Sequence, residues 1–355
     1  MADNLKALRE RIDALDLEIL RLVSERASAA HAIGKLKGGG TVYRPEREAQ
    51  VLGRLSERNP GPLSDKTVVH LFTEVISACR ALEDAFKVAS LGPKGTFSEE
   101  AAVKHFGGQS PVLLCPSIDE VFRCVESGTI GYGVVPVENS TEGAVGRTLD
   151  LLLSTPLKIC GEVLLPVHQN LLAKASELSA VRRVYSHAQS LAQCSRWLSQ
   201  HVAHAQRIPV ASNAEAARMA QEDAESAAIA GRAAAEHYGL VVLAANIEDE
   251  PNNTTRFVVI SSLDVPASGK DKTSLVLSTR NVPGAIHELL TPLASNGVSM
   301  TRLESRPSRT GLWEYVFFLD MEGHQSGENV ARALGEMRAK AAFLKVLGSY
   351  PVAVQ

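Results

Sequence analysis

No uncharged apolar run in this 355-residue chain reaches the roughly 18 residues that a membrane-spanning helix needs. The opening residues MADNLKALRERID lack the apolar core of a secretory leader, so the chain is expected in the cytoplasm, with no membrane partner. Cysteine is sparse and odd in number. Cys79, Cys115, Cys124, Cys160 and Cys194 are widely spaced with no CxxC pair, which excludes a disulfide framework or a zinc knuckle and leaves free thiols. A basic excess is missing too, because residues 1–87, 88–270 and 271–355 carry net charges of +1, −5 and +1. None of them can neutralise a phosphate backbone, so no nucleic acid is expected as a partner. Any anionic ligand must be met by a few placed cations.

What is present is enough apolar sequence, 45% of residues against 22% charged, to bury sizeable cores in two or three domains. Three segments have different periods. Leu5, Leu8, Ile12, Leu15, Ile19 and Leu22 recur at steps of three and four, the stripe of one long helix ending at Gly38-Gly39-Gly40. Further helical stretches follow at 44–58 and 64–86. So long a helix cannot bury its face in so small a domain, and pairing with a second copy is expected. From Lys87 short apolar runs end in hydroxyl or amide residues and pass into helices: VASLG before Thr96, YGVVPVE before Asn139, RRVY before Ser186 and RIPVA before Ser212. Repeated strand, cap and helix is an α/β pattern, with Ala227–Ala230 and Val241-Val242-Leu243 as core strands. After the linker Val265–Lys270 the order is βαββαβ, a ferredoxin-like α+β module. The expected domains are therefore residues 1–87, 88–265 and 271–355.

Arg26 and Lys37 lie eleven residues apart, three turns and about 16 Å along one helix face. Two cationic arms around Ala30 and Ile33 suit a compact dicarboxylate; the same spacing also describes a solvated face. Thr96 with Glu99, Ser186 with Gln189 and Ser212 with Glu215 fit the capping-box pattern. Ser212 with Glu215 is read as a helix cap alone. The other two lie in motifs whose resemblance is given below, and since a helix N-terminus at a sheet's carboxyl edge also seats a carboxylate, Thr96, Ser98 and Ser186 are candidate ligand contacts. Arg256 is either a carboxylate clamp or an edge ion-pair residue, and Gln193 either a site amide or a helix-surface one. His201 and His204 form an HxxH without a third ligand, so no metal is expected there.

The stretch LKALRERIDALDLEILRLVSERASAAHAIGKLK, with YRPERE and ISACRALE, resembles the all-helical chorismate mutases. GPKGTFSEEAA, VVPVENSTEGAV, VYSHAQSLAQC and NTTRFVVI resemble prephenate dehydratases, and NVPGAIHELL with LESRP resembles the phenylalanine-binding ACT module. The order is that of the bifunctional chorismate mutase/prephenate dehydratases. The resemblance implies a multidomain enzyme: an all-α mutase, a two-lobed α/β dehydratase like the type II periplasmic binding proteins, and an α+β ACT domain. Its implied substrates are chorismate and prephenate, its effector phenylalanine, its assembly a homodimer or larger, and it needs no cofactor. Arg26, and Arg9 from a partner subunit, are implied on the chorismate carboxylates, and Lys37 on the ether oxygen. Arg47 and Glu48 complete the pocket. Glu83 stands where some members carry glutamine, and a carboxylate there repels the ether oxygen unless protonated. In the dehydratase Thr255 is implied at the leaving hydroxyl, with Glu138, Asn139, Ser140, Gln193 and Arg256 around the cleft. Asn281, Val282, Gly284, Ala285, Ile286, Leu303, Glu304 and Ser305 are implied for phenylalanine. Ala188 stands where proline is usual, and Gly38–Gly40 is a short connection. Two other readings remain: a phenylalanine-responsive binding protein, and a dehydratase with an idle helical dimerisation domain.

Overall fold

The structure is a computed structural model describing residues 2–37, 42–83, 87–280, 282–308 and 315–353. Helix α1 (Ala2–Lys37) is followed by α2 (Pro45–Glu57), which opens on a proline with Glu46 and Glu48 in its first turn, both favourable at a helix start. In α3 (Asp65–Ala81) the N-cap is Ser64, whose hydroxyl accepts from the Thr67 N–H at 3.2 Å. The end of α3 meets α1 where His31 Nδ1 lies 3.2 Å from the Leu82 carbonyl. Along the rest of α1, Leu5, Leu8, Ile12, Leu15 and Ile19 are all half exposed or more. Covering that row by a second copy contributes on the order of 1 kcal/mol per side chain.

The middle segment forms two lobes. The first holds β1 (Val88–Leu91), α4 (Phe97–Phe106), β2 (Val112–Cys115), α5 (Ile118–Glu126), β3 (Tyr132–Asn139), β4 (Gly143–Ala144), α6 (Gly146–Ser154) and β5 (Lys158–Pro166). The second holds β6 (Asn170–Ala173), β7 (Arg183–Ser186), α7 (Ala188–Gln193), α8 (Ser195–His201), β8 (Gln206–Pro209), α9 (Asn213–Glu222), β9 (Ser226–Ala230), α10 (Arg232–Tyr238) and β10 (Val241–Ala244). Strand β11 (Thr254–Ser261) then returns to the first sheet, giving the orders β2-β1-β3-β11-β5 and β10-β6-β9-β7-β8. The chain crosses between sheets twice, after β5 and before β11, so the lobes face one another across a cleft. β10 corrects one expectation: Val241 is 54% exposed because β10 is an edge strand, whereas β9 is buried throughout.

β11 lies between β3 and β5, and successive side chains go to opposite faces. Phe257 and Val259 join the core under α4, while Val258 and Ile260 join the core shared with α5, α6 and the C-terminal module. A bulge at Val137 of β3 interrupts the β3–β11 ladder, between the Glu138–Arg256 and Pro136–Phe257 pairs. The C-terminal module is β12 (Asp271–Ser278), α11 (Ala285–Ser295), β13 (Met300–Pro307), β14 (Tyr315–Glu322), α12 (Glu328–Lys340) and β15 (Phe343–Pro351), in the order β13-β14-β12-β15. Val276, Val316, Phe318, Leu347 and Tyr350 put one face of that sheet into the first lobe's core.

The helical segment is anchored through Tyr43, which is buried against Phe106 and Tyr132 with its hydroxyl 2.5 Å from His105 Nε2. Arg80 lies over the Tyr43 and Phe106 rings and donates to the Phe106 carbonyl. Gly107 permits the approach: its φ is +74°, and a Cβ there would sit 2.4 Å from Ser77 Cβ. Burial, helped by Arg80, pulls His105 down to about 3. It is neutral in the fold, while the unfolded chain takes up a proton near pH 6.5. Stability is therefore present above about pH 6.5 and falls as pH drops toward 3, by a few kcal/mol at the limit. The urea midpoint should decline between pH 6.5 and 4, and His105→Gln, which keeps an acceptor for Tyr43, should make the decline shallower. An unchanged slope in the variant would remove His105 from this role.

Candidate active sites

The helical segment brings four of its charged groups toward one end of α1. Glu48 accepts from Arg80 Nη1 at 2.6 Å, and burial raises its carboxyl while Arg80 and Arg26 pull it back down. Glu83 lies along Gly34, where an added Cβ would be 2.9 Å from Glu83 Cγ, so only glycine admits this approach without a shift. Its Oε2 is buried with no hydrogen-bond partner among the described residues. Lys37 ends α1 less than a turn beyond Gly34, and its side chain lies outside the described residues. Arg47 is exposed on α2. Arg9 is exposed and seventeen residues before Arg26, about 25 Å along the helix, so one chain does not unite the two. The sequence reading passed over Arg80, which holds Glu48. Its signal was a cation within the buried stripe Ile76, Ser77, Cys79, Arg80 of α3.

Between the lobes a chain of amides and hydroxyls meets at Thr255. Asn139 Oδ1 accepts from the backbone N–H groups of Thr141 at 3.0 Å and Glu142 at 3.1 Å. That fixes the amide, since only its oxygen can face two N–H donors. Asn139 Nδ2 is thereby turned to Thr255 Oγ1 and Asn253 Oδ1, each at 2.8 Å. Gln193, the last residue of α7 in the second lobe, accepts from Asn253 Nδ2 at 3.4 Å and donates to Thr141 Oγ1 at 3.2 Å. Thr255 thus accepts from Asn139 and keeps its own proton to give. Asn253 and Thr141 were missed as individuals, although Asn253 stands in the NTTRF stretch.

Other candidates serve the fold. Thr96 caps α4, accepting from the Glu99 N–H at 3.4 Å and donating to the Leu91 carbonyl at 3.0 Å, while the Glu99 carboxylate accepts from the Gly95 N–H at 2.6 Å. Ser98 is buried in the first turn of α4. Ser140 accepts from the Thr254 N–H at 2.9 Å and donates to the Asn252 carbonyl at 3.3 Å, tying two strand ends together. Ser186 does not cap α7, whose N-cap is His187 without a side-chain bond. Its hydroxyl is fully buried, 2.8 Å from the Ile229 carbonyl and 2.9 Å from Asn213 Oδ1.

Arg256 and Glu138 correct the expectation most clearly, because strand alternation turns both away from Thr255 and the cleft. Arg256 donates to Glu162 at 2.9 Å, Asp320 at 2.5 Å and Tyr350 Oη at 2.8 Å. Glu138 ion-pairs with Arg302 at 2.8 Å.

In the C-terminal module Val282, Gly284, Ala285 and Ile286 line a cavity of about 750 Å³, walled by Tyr315, Phe317 and Phe343. Gly284 has φ +79°, a left-handed conformation that favours glycine. Asn281 lies outside the described residues. Leu303, Glu304 and Ser305 do not line this cavity in the single chain. Leu303 and Ser305 are exposed on edge strand β13, and Glu304 belongs to the opposite face of that strand.

Three family profiles match the chain: Chorismate mutase type II over residues 8–84, Prephenate dehydratase over 88–264, and ACT domain over 273–338. The bifunctional chorismate mutase/prephenate dehydratase of Neisseria gonorrhoeae is 54% identical over 349 residues, 98% of this chain and 96% of that one. The enzyme of the same description from Pseudomonas aeruginosa is 50% identical over 360 residues, 99% of both chains. Among solved structures, the prephenate dehydratase of Arthrobacter aurescens in complex with L-Phe superposes with a TM-score of 0.69 at 35% identity, covering 75% of this chain and 89% of that one. GqqA, described as a novel type of quorum quenching acylase, also superposes at 0.69, with 32% identity over 75% of this chain and 98% of its own. With three matching domains in one order and relatives aligned end to end, the chain belongs to the family of bifunctional chorismate mutase/prephenate dehydratases.

Proposed function

We propose that residues 1–87 rearrange chorismate to prephenate, that residues 88–265 convert prephenate to phenylpyruvate, and that phenylalanine acts through residues 271–355. The rearrangement is pericyclic and needs no nucleophile. It requires the compact diaxial conformer and stabilisation of charge growing on the ether oxygen. Arg26 and Arg9 of the partner subunit hold the carboxylates, Lys37 donates to the ether oxygen, and Glu83 donates to the same oxygen when protonated. Glu48, oriented by Arg80, accepts from the substrate hydroxyl, and Arg47 closes the pocket. The distance between Arg9 and Arg26, and the uncovered stripe of α1, support a homodimer or larger assembly, which as a biosynthetic enzyme would work in the cytoplasm.

In the second step the bond from ring to carboxylate breaks, its electron pair enters the ring, and the C–O bond breaks. Carbon dioxide leaves, the departing hydroxide takes a proton to become water, and the ring is aromatic. The observation that carries this reading is Thr255: with Asn139 locked as a donor to its oxygen, Thr255 directs its proton to the leaving group. Gln193 reaches the same network from the second lobe, and the Phe97 and Ser98 N–H groups that open α4, ahead of the Glu99 N–H that Thr96 takes, face a substrate carboxylate in this reading. The phenylalanine site joins the cavity at Gly284 of one chain to Leu303 and Ser305 of a second.

Incubating the protein with chorismate, and following prephenate and phenylpyruvate separately with and without phenylalanine, tests the whole reading. Both products should form, and phenylalanine should suppress the second. Lys37→Ala should remove about 3–4 kcal/mol or more of transition-state stabilisation from chorismate turnover, leaving prephenate dehydration intact. Loss of both activities in a folded variant would contradict separate sites. Thr255→Ala should do the converse, so that prephenate accumulates from chorismate; normal phenylpyruvate formation would take Thr255 out of the mechanism. Glu83→Ala should lower mutase kcat/KM, while Glu83→Gln, whose amide keeps a donor at the same place, should retain it, with the dehydratase unchanged in both. An alanine variant with wild-type mutase turnover would leave Lys37 alone on the ether oxygen.

A further inference from the structure

We infer that Glu138, Arg256, Arg302 and Asp320 form a four-charge clasp through which the C-terminal module sets the position of Asn139 and Thr255. Glu138 and Arg256 are register partners across β3 and β11, and Asn139 and Thr255 are the next pair along the same ladder. Arg302 and Asp320 are register partners across β13 and β14. Two ion pairs join the two strand pairs crosswise: Arg256 with Asp320 at 2.5 Å and Arg302 with Glu138 at 2.8 Å. Glu162 and Lys272 join the same cluster, so the first sheet brings two anions and one cation, the module two cations and one anion, and the charges balance only across the contact.

Alternation gives the clasp its lever. One face of this two-strand segment holds the amide and hydroxyl that meet the substrate, and the other holds the two charges gripped by the module. The bulge lies on β3, where Val137 is skipped between the Glu138–Arg256 and Pro136–Phe257 pairs, whereas β11 stays in register with β5 from Thr254 to Val259. It is therefore the β3 end carrying Glu138 and Asn139, paired on its other side only with the two-residue β4, that takes its placement from what grips it. Arg302 is the residue immediately before Leu303 on edge strand β13, and a shift of that strand reaches Glu138 without an intermediary. Glu138 and Arg256 are therefore positioning residues, acting through Asn139 and Thr255. The inference rests on the proposed phenylalanine reading for what moves the module.

Full-length protein is assayed from prephenate across a phenylalanine series, with phenylalanine binding measured by calorimetry and mutase turnover measured to report folding. Asp320→Asn is the mild change, since Arg256 keeps Glu162 at 2.9 Å; Arg302→Gln opens the other pair. In both, phenylalanine should still bind, while the activity remaining at saturation rises about tenfold over wild type, the coupling having been lost. Glu138→Arg alone should lower dehydratase kcat with KM little changed, as a shift of Thr255 would, and adding Arg302→Glu should restore both kcat and inhibition. Asp320→Asn inhibited to the wild-type extent would overturn the clasp, and so would a charge swap that merely combines the two single defects. Should the swap fail to fold, as mutase loss would reveal, Asp320→Asn decides alone. A wild type that binds phenylalanine and keeps full dehydratase activity would sink the effector reading itself, and with it any signal for the clasp to carry.

Discussion

Everything in the dehydratase half turns on strand β11 and the alternation of its side chains. A strand with both faces covered must send consecutive residues to different environments, and here those are the interlobe cleft and the C-terminal module. Thr255 and Arg256 are adjacent in sequence, yet one meets an amide network and the other a cluster of carboxylates. Burial, with Asp320 and Glu162 alongside, pushes the Tyr350 phenol well up, so it stays protonated beside Arg256. Glu162 is itself shared between Arg256 and Lys272, from two different domains. Buried charges of this kind contribute little net stability when complete, but each leaves an uncompensated charge if its partner moves. They therefore specify one docking geometry.

The helical segment is joined by different physics. Tyr43 enters the aromatic cluster of Phe106 and Tyr132, and Arg80 covers the rings while its guanidinium reaches Glu48. One arginine thus serves both the domain contact and the orientation of a mutase carboxylate. Glu83 presses against Gly34 in the same region, and Gly107 is matched to Ser77 at the interface. The mutase end of α1 is built on a contact with the dehydratase, although its chemistry is separate. At the far end of α1 the apolar row from Leu5 to Ile19 is uncovered in the single chain.

The element pattern was legible. The period of α1, the strand-cap-helix repeats and the βαββαβ tail all appear close to where periodicity put them, since apolar spacing reflects local geometry. So did Thr96 and Ser212 as caps, each accepting from the N–H three residues on. Ser186 fitted the same pattern and did not cap, because its hydroxyl is drawn to Ile229 and Asn213 across the sheet. The motif matched, and a tertiary hydrogen bond took the group away.

The sequence by itself determined the three-part architecture, the residue types available for each reaction and the family, because these depend on local periodicity and on motifs that are contiguous in the chain. Only the tertiary structure decided which motif residues meet. It paired Asn139 with Thr255 and Asn253, sent Arg256 and Glu138 to the module on the reverse face, brought Arg80 to Glu48, and left Arg9 far from Arg26. The physical reason is that a strand's facing depends on register, and register on a bulge and on neighbours more than a hundred residues away. A run such as TTRF names four side chains, and folding assigns each one its face.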